Sequence, residues 1–126
     1  MSRLRAASVA WAAVLDLVLV LVFVLIGRRS HAEGLTLLGT LETAWPFVTG
    51  LAIGWLAMRA WRHPLRVVWT GVGIWLVAVI AGMLLRALSG QGVQLAFVIV
   101  ATVVLGVFLL GWRGIALLVT RRRRTT

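Results

Sequence analysis

The sequence contains no cysteine, no lysine and only three acidic residues among its 126 positions. Without cysteine the chain has no disulfide, no thiolate nucleophile and no cysteine-ligated metal site, and redox chemistry gives no indication of its compartment. The acidic residues are Asp16, Glu33 and Glu42. Thirteen basic residues, all arginine, outnumber them and leave a formal net charge of +10.

The sequence also lacks a nucleophile–base pair, a phosphate-binding glycine loop and a cluster of metal ligands, so we expect neither an enzyme nor a bound cofactor or metal. A charge this basic is typical of nucleic-acid-binding proteins. Here the arginines stand at the ends of apolar runs and do not form a patch on a soluble domain. This placement argues against a nucleic-acid partner and for the lipid bilayer.

Long apolar runs make up most of the chain, which is 62% hydrophobic. The run Val9–Ile26 has eighteen residues and a single charge, Asp16. A run of this length and polarity predicts a membrane-spanning helix. An aspartate near the centre of such a helix costs about 2.5–3.5 kcal/mol on insertion scales, so it requires a partner or a function.

Three further runs complete a predicted all-α membrane protein with a single domain of four transmembrane helices. The predicted spans are residues 9–26, 45–61, 67–85 and 93–112, the last extending to 119 if Arg113 lies within the helix. One long and two short connections predict an up-down-up-down bundle. Gly50 and Gly54 form a GxxxG pair, which permits close helix packing and is predicted to be structural.

Residues 27–44 form the long connection. Gly27 is a typical helix end, Thr43 is a candidate N-cap, and Pro46 suits a first helical turn. These features favour a loop with a short interfacial helix. A re-entrant segment or an extended start to the second helix is the alternative.

Arginine placement predicts the orientation of the chain in the membrane. Ten of the thirteen arginines lie in the N-terminal head, the turn between the second and third helices, and the C-terminal segment. Arg28, Arg29 and Arg86 lie on the other side. We therefore expect both termini in the cytoplasm of a prokaryotic cell, with the tail Arg121–Arg124 anchored to anionic lipid headgroups.

Asp16 has one candidate ion-pair partner within the membrane, Arg113. If the fourth helix extends to residue 119, Arg113 lies at about the depth of Asp16 on the same side, and Gly106 on the same stripe would give access to it. Alternatively, Arg113 extends its side chain to the lipid headgroups, as long basic side chains near helix ends do.

Most of the seven tryptophans lie near the predicted membrane boundaries, as an aromatic belt does. Trp55 and Trp75 do not, because each falls well inside its helix at about the depth of Asp16. An indole N–H in an apolar environment requires an acceptor, and Asp16 is the obvious one. The alternative is that both rings serve only as packing.

The segment Gly27–His31 combines two arginines, a hydroxyl and an imidazole at the outer end of the first helix. Arg28, Arg29 and His31 are candidate contacts for an anion or a lipid headgroup. Alternatively, the arginines mark a helix end at the headgroups.

Asp16, the run FVLIGRRSH (residues 23–31) and the motif Trp45-Pro46-Phe47 resemble a family of small, uncharacterised prokaryotic membrane proteins with four helices, a domain of unknown function. The resemblance covers most of the chain and implies a compact membrane fold without an established activity. The positions that it marks as candidates are Asp16, Arg28, Arg29, His31, Pro46 and Phe47.

The chain is also similar in length, helix number and position of the acid to small multidrug transporters, although their acid is a glutamate. Many of those proteins insert in both orientations and show little arginine bias. The bias of ten arginines to three therefore argues against their antiparallel dimer.

Three functional hypotheses follow. The first is an oligomeric transporter or channel in which Asp16 is the titrating group. The second is an accessory or assembly subunit of a larger membrane complex, in which Asp16 only orders the bundle. The third is a lipid-binding module that uses Arg28 and Arg29.

Overall fold

The computed structural model describes residues 3–30 and 36–125, and within them the side chains of residues 6–28 and 36–121. This part of the chain contains no strand. Its four α-helices are α1 (Arg3–Ser30), α2 (Leu37–Met58), α3 (Val72–Leu88) and α4 (Leu95–Thr125), and one turn of π-helix, Val67–Gly71, leads into α3. The prediction of an all-α fold is confirmed.

Three helical segments within the described residues are long and apolar enough to cross a membrane: Ala6–Arg28, Val67–Leu88 and Leu95–Arg121. They contain the first, the third and most of the fourth predicted span. Helix α2 has 22 residues but is not among them. It carries Glu42 and Pro46 in its first half, and these residues lower its apolar character.

The helix boundaries differ from the sequence prediction in the long connection. Helix α1 passes through Gly27 and ends at Ser30, and α2 begins at Leu37, so the alternative of an extended second helix is correct. The N-cap is Thr36, whose hydroxyl accepts a hydrogen bond from the Gly39 amide at 3.1 Å. The prediction of Thr43 as N-cap is therefore wrong.

Pro46 lies inside α2, more than two turns from its start, and not in the first turn as predicted. The apolar residues before it continue the helix because Thr36 supplies a cap upstream. Residues 31–35, including His31, lie outside the described part of the chain.

Each helix packs against two others. Helices α1 and α3 each contact both α2 and α4. Contacts along α1 and α2 run in opposite order, since Asp16 meets Trp55 whereas Arg28 meets Thr43. Neighbouring helices in this pair are therefore antiparallel.

The closest helix packing joins α2 to α3 through small residues. A Cβ atom at Gly50 would lie 2.8 Å from the carbonyl oxygen of Ala78, and one at Gly54 would lie 3.2 Å from the Cα of Ile74. At Gly82 a Cβ would meet the ring of Phe47. Such close approach maximises van der Waals contact between helices in an apolar solvent.

Three phenylalanines join α1, α2 and α4 near the opposite end of the bundle from Asp16. Phe23 and Phe47 make an edge-to-face contact with ring centroids 5.3 Å apart, and Phe97 lies 5.9 Å from Phe47. Phe23 and Phe47 are fully buried. Phe47, one of the positions that the family resemblance marks, thus packs against α1 and α4 through these rings and against α3 at Gly82.

We expect Gly50→Ala to destabilise the protein by about 1–3 kcal/mol, because the added methyl group overlaps the backbone of α3. The matched control is Gly111→Ala, since nothing lies within 4 Å of a Cβ at that helical position. There the better helix propensity of alanine should leave stability unchanged or raise it by up to about 1 kcal/mol. Thermal unfolding in detergent compares the two, and equal effects would contradict this packing.

Candidate functional site

The carboxylate of Asp16 and the guanidinium of Arg113 form a two-pronged ion pair in the interior of the bundle. Arg113 donates from Nη1 to Oδ1 at 2.9 Å and from Nη2 to Oδ2 at 2.7 Å. Both side chains have an exposed fraction of 0%. The planar fork of arginine matches the two carboxylate oxygens, which is the strongest geometry for such a pair.

Two tryptophans complete the surroundings of the carboxylate. Trp55 of α2 donates its indole N–H to Oδ2 at 2.9 Å, and Trp112 of α4 donates to Oδ1 at 2.8 Å. A carboxylate accepts about four hydrogen bonds. The four N–H groups around Asp16 therefore use its full accepting capacity.

Arg113 binds backbone as well as Asp16. Its Nε donates to the carbonyl oxygen of Pro64 at 2.9 Å, and Nη1 also donates to that of Leu109 at 3.0 Å. Its guanidinium carbon lies 4.5 Å from the centroid of the Trp112 ring, a cation–π distance. Among the described residues, every buried side-chain nitrogen and oxygen has a hydrogen-bond partner.

Small residues make room for the pair. Ala12, one helical turn before Asp16, is fully buried, which lets neighbouring helices approach that face of α1. A Cβ at Gly71 would lie 3.1 Å from Cδ of Arg113, so the π-helical turn leaves space for the arginine stem. Gly106, predicted to give that access, instead faces the ring of Trp75.

Trp75 does not reach Asp16. Its indole N–H donates to the carbonyl oxygen of Thr102 at 2.9 Å, which ties α3 to α4. Of the four residues predicted for the intramembrane polar site, Asp16, Arg113 and Trp55 come together and Trp75 lies apart. Arg113 points inward, so it does not extend to the helix end.

The residues predicted for anion or lipid contact lie at the other end of α1. The Arg28 guanidinium is largely buried and donates to the Thr43 hydroxyl at 2.9 Å. The Arg29 side chain and His31 lie outside the described residues. Arg28, Thr43, Glu42, Arg86 and Gln91 line a polar cavity of about 360 Å³.

Sequence reasoning missed three of the groups that form hydrogen bonds with Asp16, Arg113 or Arg28. Trp112 was assigned to the aromatic belt, although the depth estimate that places Arg113 beside Asp16 places its neighbour there too. The Pro64 carbonyl carries no sequence signal, because every residue has one. Thr43, taken for a cap, is the hydroxyl that binds Arg28.

The hydrogen-bond geometry around Asp16 does not identify a protein family, but comparison of the sequence with known families does. Residues 13–116 match the model of DUF3054, a protein family of unknown function. The chain belongs to the DUF3054 family. The matched residues include all of the hydrogen-bonded groups around Asp16, and the resemblance to an uncharacterised family is confirmed.

No match was found among curated proteins or among solved structures. The DUF3054 family is described only as being of unknown function, so membership does not assign an activity. Within the described residues, no group of three or more histidine or acidic side chains has the arrangement of a metal site. The functional argument depends on the contacts of the chain itself.

We expect Asp16→Asn and Arg113→Gln each to destabilise the bundle by about 3–5 kcal/mol, because either change leaves the other group buried without its counter-charge. The double variant should lose less than the sum of the two, since neither charge remains. A double-mutant cycle from unfolding in mixed detergent micelles measures the coupling. Additive losses would contradict a coupled pair.

The two interior indoles separate a charged acceptor from a neutral one. Trp55→Phe removes a hydrogen bond to a carboxylate and should cost about 1.5–3 kcal/mol. Trp75→Phe removes one to the Thr102 carbonyl and should cost about 0.5–1.5 kcal/mol. The same substitution in both places controls for ring size, and a greater loss at Trp75 in the unfolding measurement would contradict the assignment.

Proposed function

We propose that this DUF3054 protein is a four-span membrane protein that serves as a small accessory or assembly subunit of a larger membrane complex. In this proposal the Asp16–Arg113 pair holds the bundle together and takes no part in transport. The observation that supports it is the saturation of the Asp16 carboxylate by four N–H donors at zero exposure.

The membrane placement follows from length, contacts and charge. Helices α1, α3 and α4 each contain a segment that is long and apolar enough to span. We place α2 as the fourth span because it packs closely along α3 and antiparallel to α1. In this proposal both termini lie in the cytoplasm of a prokaryotic cell, in an up-down-up-down bundle, which the arginine distribution supports.

Several contacts favour a structural role for Asp16 over a protonation cycle. A proton on the carboxylate would displace one of the four donors and leave Arg113 as a buried charge without its counter-charge. Asp16 is not among the residues that line the polar cavity at the Arg28 end of the bundle. A transporter in which Asp16 titrates would have to break the whole arrangement in each cycle.

The lipid-binding hypothesis based on Arg28 and Arg29 has less support. Arg28 donates from its guanidinium to the Thr43 hydroxyl, a hydrogen bond that joins α1 to α2. In a subunit role, a partner protein would bind the outer surface of the bundle. Every helix exposes large apolar side chains there. Val18, Ile53, Ile80 and Val107 represent the four helices, and each is more than 40% exposed.

Site-specific photo-crosslinking in native membranes tests the subunit role. A photoreactive residue is placed at Val18, Ile53, Ile80 or Val107, one position at a time. We expect a protein adduct of one fixed mass from one or two neighbouring helices and lipid adducts from the others, because a partner covers only part of the surface. Lipid adducts from all four positions would contradict a stable partner.

A flux assay in proteoliposomes distinguishes the transporter hypothesis. We expect proton flux with the wild-type protein to equal that of empty vesicles. The control variant is Trp75→Phe, which removes an indole hydrogen bond to Thr102 between α3 and α4 but leaves the pair intact. Flux that is present with wild type and Trp75→Phe but absent with a folded Asp16→Asn variant would establish the titrating role and overturn the structural one.

A further inference from the structure

A second polar feature lies at the connection between α2 and α3, at the end of the bundle nearest the ion pair. A cavity of about 360 Å³ is lined there by Arg59, Arg62, His63, Arg66 and the ring of Trp69. A water molecule takes about 30 Å³ of the liquid, so this open cavity is far larger than a single water site. It is enough for a phosphate group and part of the molecule that carries it.

The charge of the lining suits an anion. Three arginines and a histidine contribute to it, and none of the residues that line it is acidic. Of the acidic side chains that the structure describes, Asp16 is held by Arg113, and Glu42 lies near the other end of α2, about 24 Å away at 1.5 Å per residue. Arginine binds phosphate oxygens through two parallel N–H groups.

The backbone that carries these side chains is ordered by its own hydrogen bonds. The amide of Arg62 donates to the carbonyl of Arg59 at 3.0 Å, and that of Arg66 donates to the carbonyl of His63 at 3.2 Å. The His63 carbonyl also accepts from the Thr70 hydroxyl at 2.6 Å. A site built on an ordered turn loses less entropy when it binds.

The buried ion pair contributes to this order. Arg113 donates to the Pro64 carbonyl in the middle of the connection, and Pro64 itself is buried. On the other wall, Trp69 donates its indole N–H to the Met58 carbonyl at 3.1 Å. The basic side chains therefore project from a segment that is fixed at both sides.

Arg59 occupies a position where local preference favours another residue. It ends α2 in the left-handed conformation, with φ 50° and ψ 51°, and is the one described non-glycine residue with positive φ. Glycine or asparagine normally occupies this helix-ending position, because other side chains adopt it at a cost. The arginine at the rim of the cavity thus supplies charge at the expense of local stability.

We propose that this cavity, the basic turn site, binds the phosphate group of an anionic ligand. Two sources carry the same chemistry, the headgroup of a lipid with a terminal phosphate and a free phosphate in the cytoplasm. The lining residue Trp69 is 55% exposed and its chain neighbour Val68 is 80% exposed, and such apolar side chains suit the acyl chains of a lipid. The site goes beyond the proposed subunit role and does not depend on it.

Binding to the intact protein tests the proposal with two probes. In the first arm, native mass spectrometry and nanodisc titration compare phosphatidic acid with phosphatidylcholine, and we expect at least a tenfold preference for phosphatidic acid. In the second arm, inorganic phosphate and pyrophosphate compete at millimolar concentration. Effective competition assigns the site to a soluble phosphate, and lipid binding without competition assigns it to a headgroup, so either supports a phosphate site.

Two variants locate the site. Arg59→Asn retains a residue that accepts the left-handed conformation, so it should fold at least as well as wild type and yet bind phosphatidic acid about tenfold more weakly. Arg66→Gln should weaken binding by a similar factor. The control is Arg121→Gln, which removes the same charge from an exposed position on α4 and should change binding less than twofold.

Three results would overturn the basic turn site. One is the absence of preference for phosphatidic acid together with the absence of phosphate competition. Another is unchanged binding in both Arg59→Asn and Arg66→Gln. The third is an equal loss in Arg121→Gln, which would indicate attraction by net charge alone. An unchanged thermal midpoint in Arg59→Asn separates loss of binding from loss of folding.

Discussion

The structure depends on the pairing of one carboxylate with one guanidinium in an apolar interior. A charged side chain that is alone at the centre of a membrane costs about 2.5–3.5 kcal/mol on insertion scales, and Asp16 and Arg113 are both fully buried in an apolar bundle. Their two-pronged contact neutralises both, and the indoles of Trp55 and Trp112 satisfy the remaining capacity of the carboxylate. Since these groups come from α1, α2 and α4, three helices must assemble before the charges are satisfied.

The pair also connects the interior to one end of the bundle. Arg113 holds the Pro64 carbonyl, and Pro64 lies within the connection that presents Arg59, Arg62 and Arg66. The guanidinium therefore helps to fix the segment that carries this basic surface. The hydrogen bond from Arg113 to Pro64 thus links the buried ion pair to the segment for which we propose phosphate binding.

Packing of small against aromatic side chains stabilises the remainder of the bundle. In lipid the hydrophobic effect does not drive helices together, so close van der Waals contact and interhelical hydrogen bonds must do so. Gly50 and Gly54 bring α2 against α3, and the rings of Phe23, Phe47 and Phe97 fill the space where α1, α2 and α4 meet. Close packing thus extends from the level of the ion pair, where Gly54 precedes Trp55, to the phenylalanine rings further along the bundle.

Composition and periodicity alone predicted an all-α chain with membrane-length apolar helices and identified Asp16 as the residue that requires a partner. These properties are local, because a run of apolar side chains has the same solvent preference whatever it packs against. The depth argument also named Arg113 and Trp55 as neighbours of Asp16. Only the tertiary structure decided that Trp75 bonds to Thr102 and that Trp112 bonds to Asp16, since both depend on the rotation of each helix about its axis. Depth is set by residue number, whereas rotation is set by the packing of all four helices together.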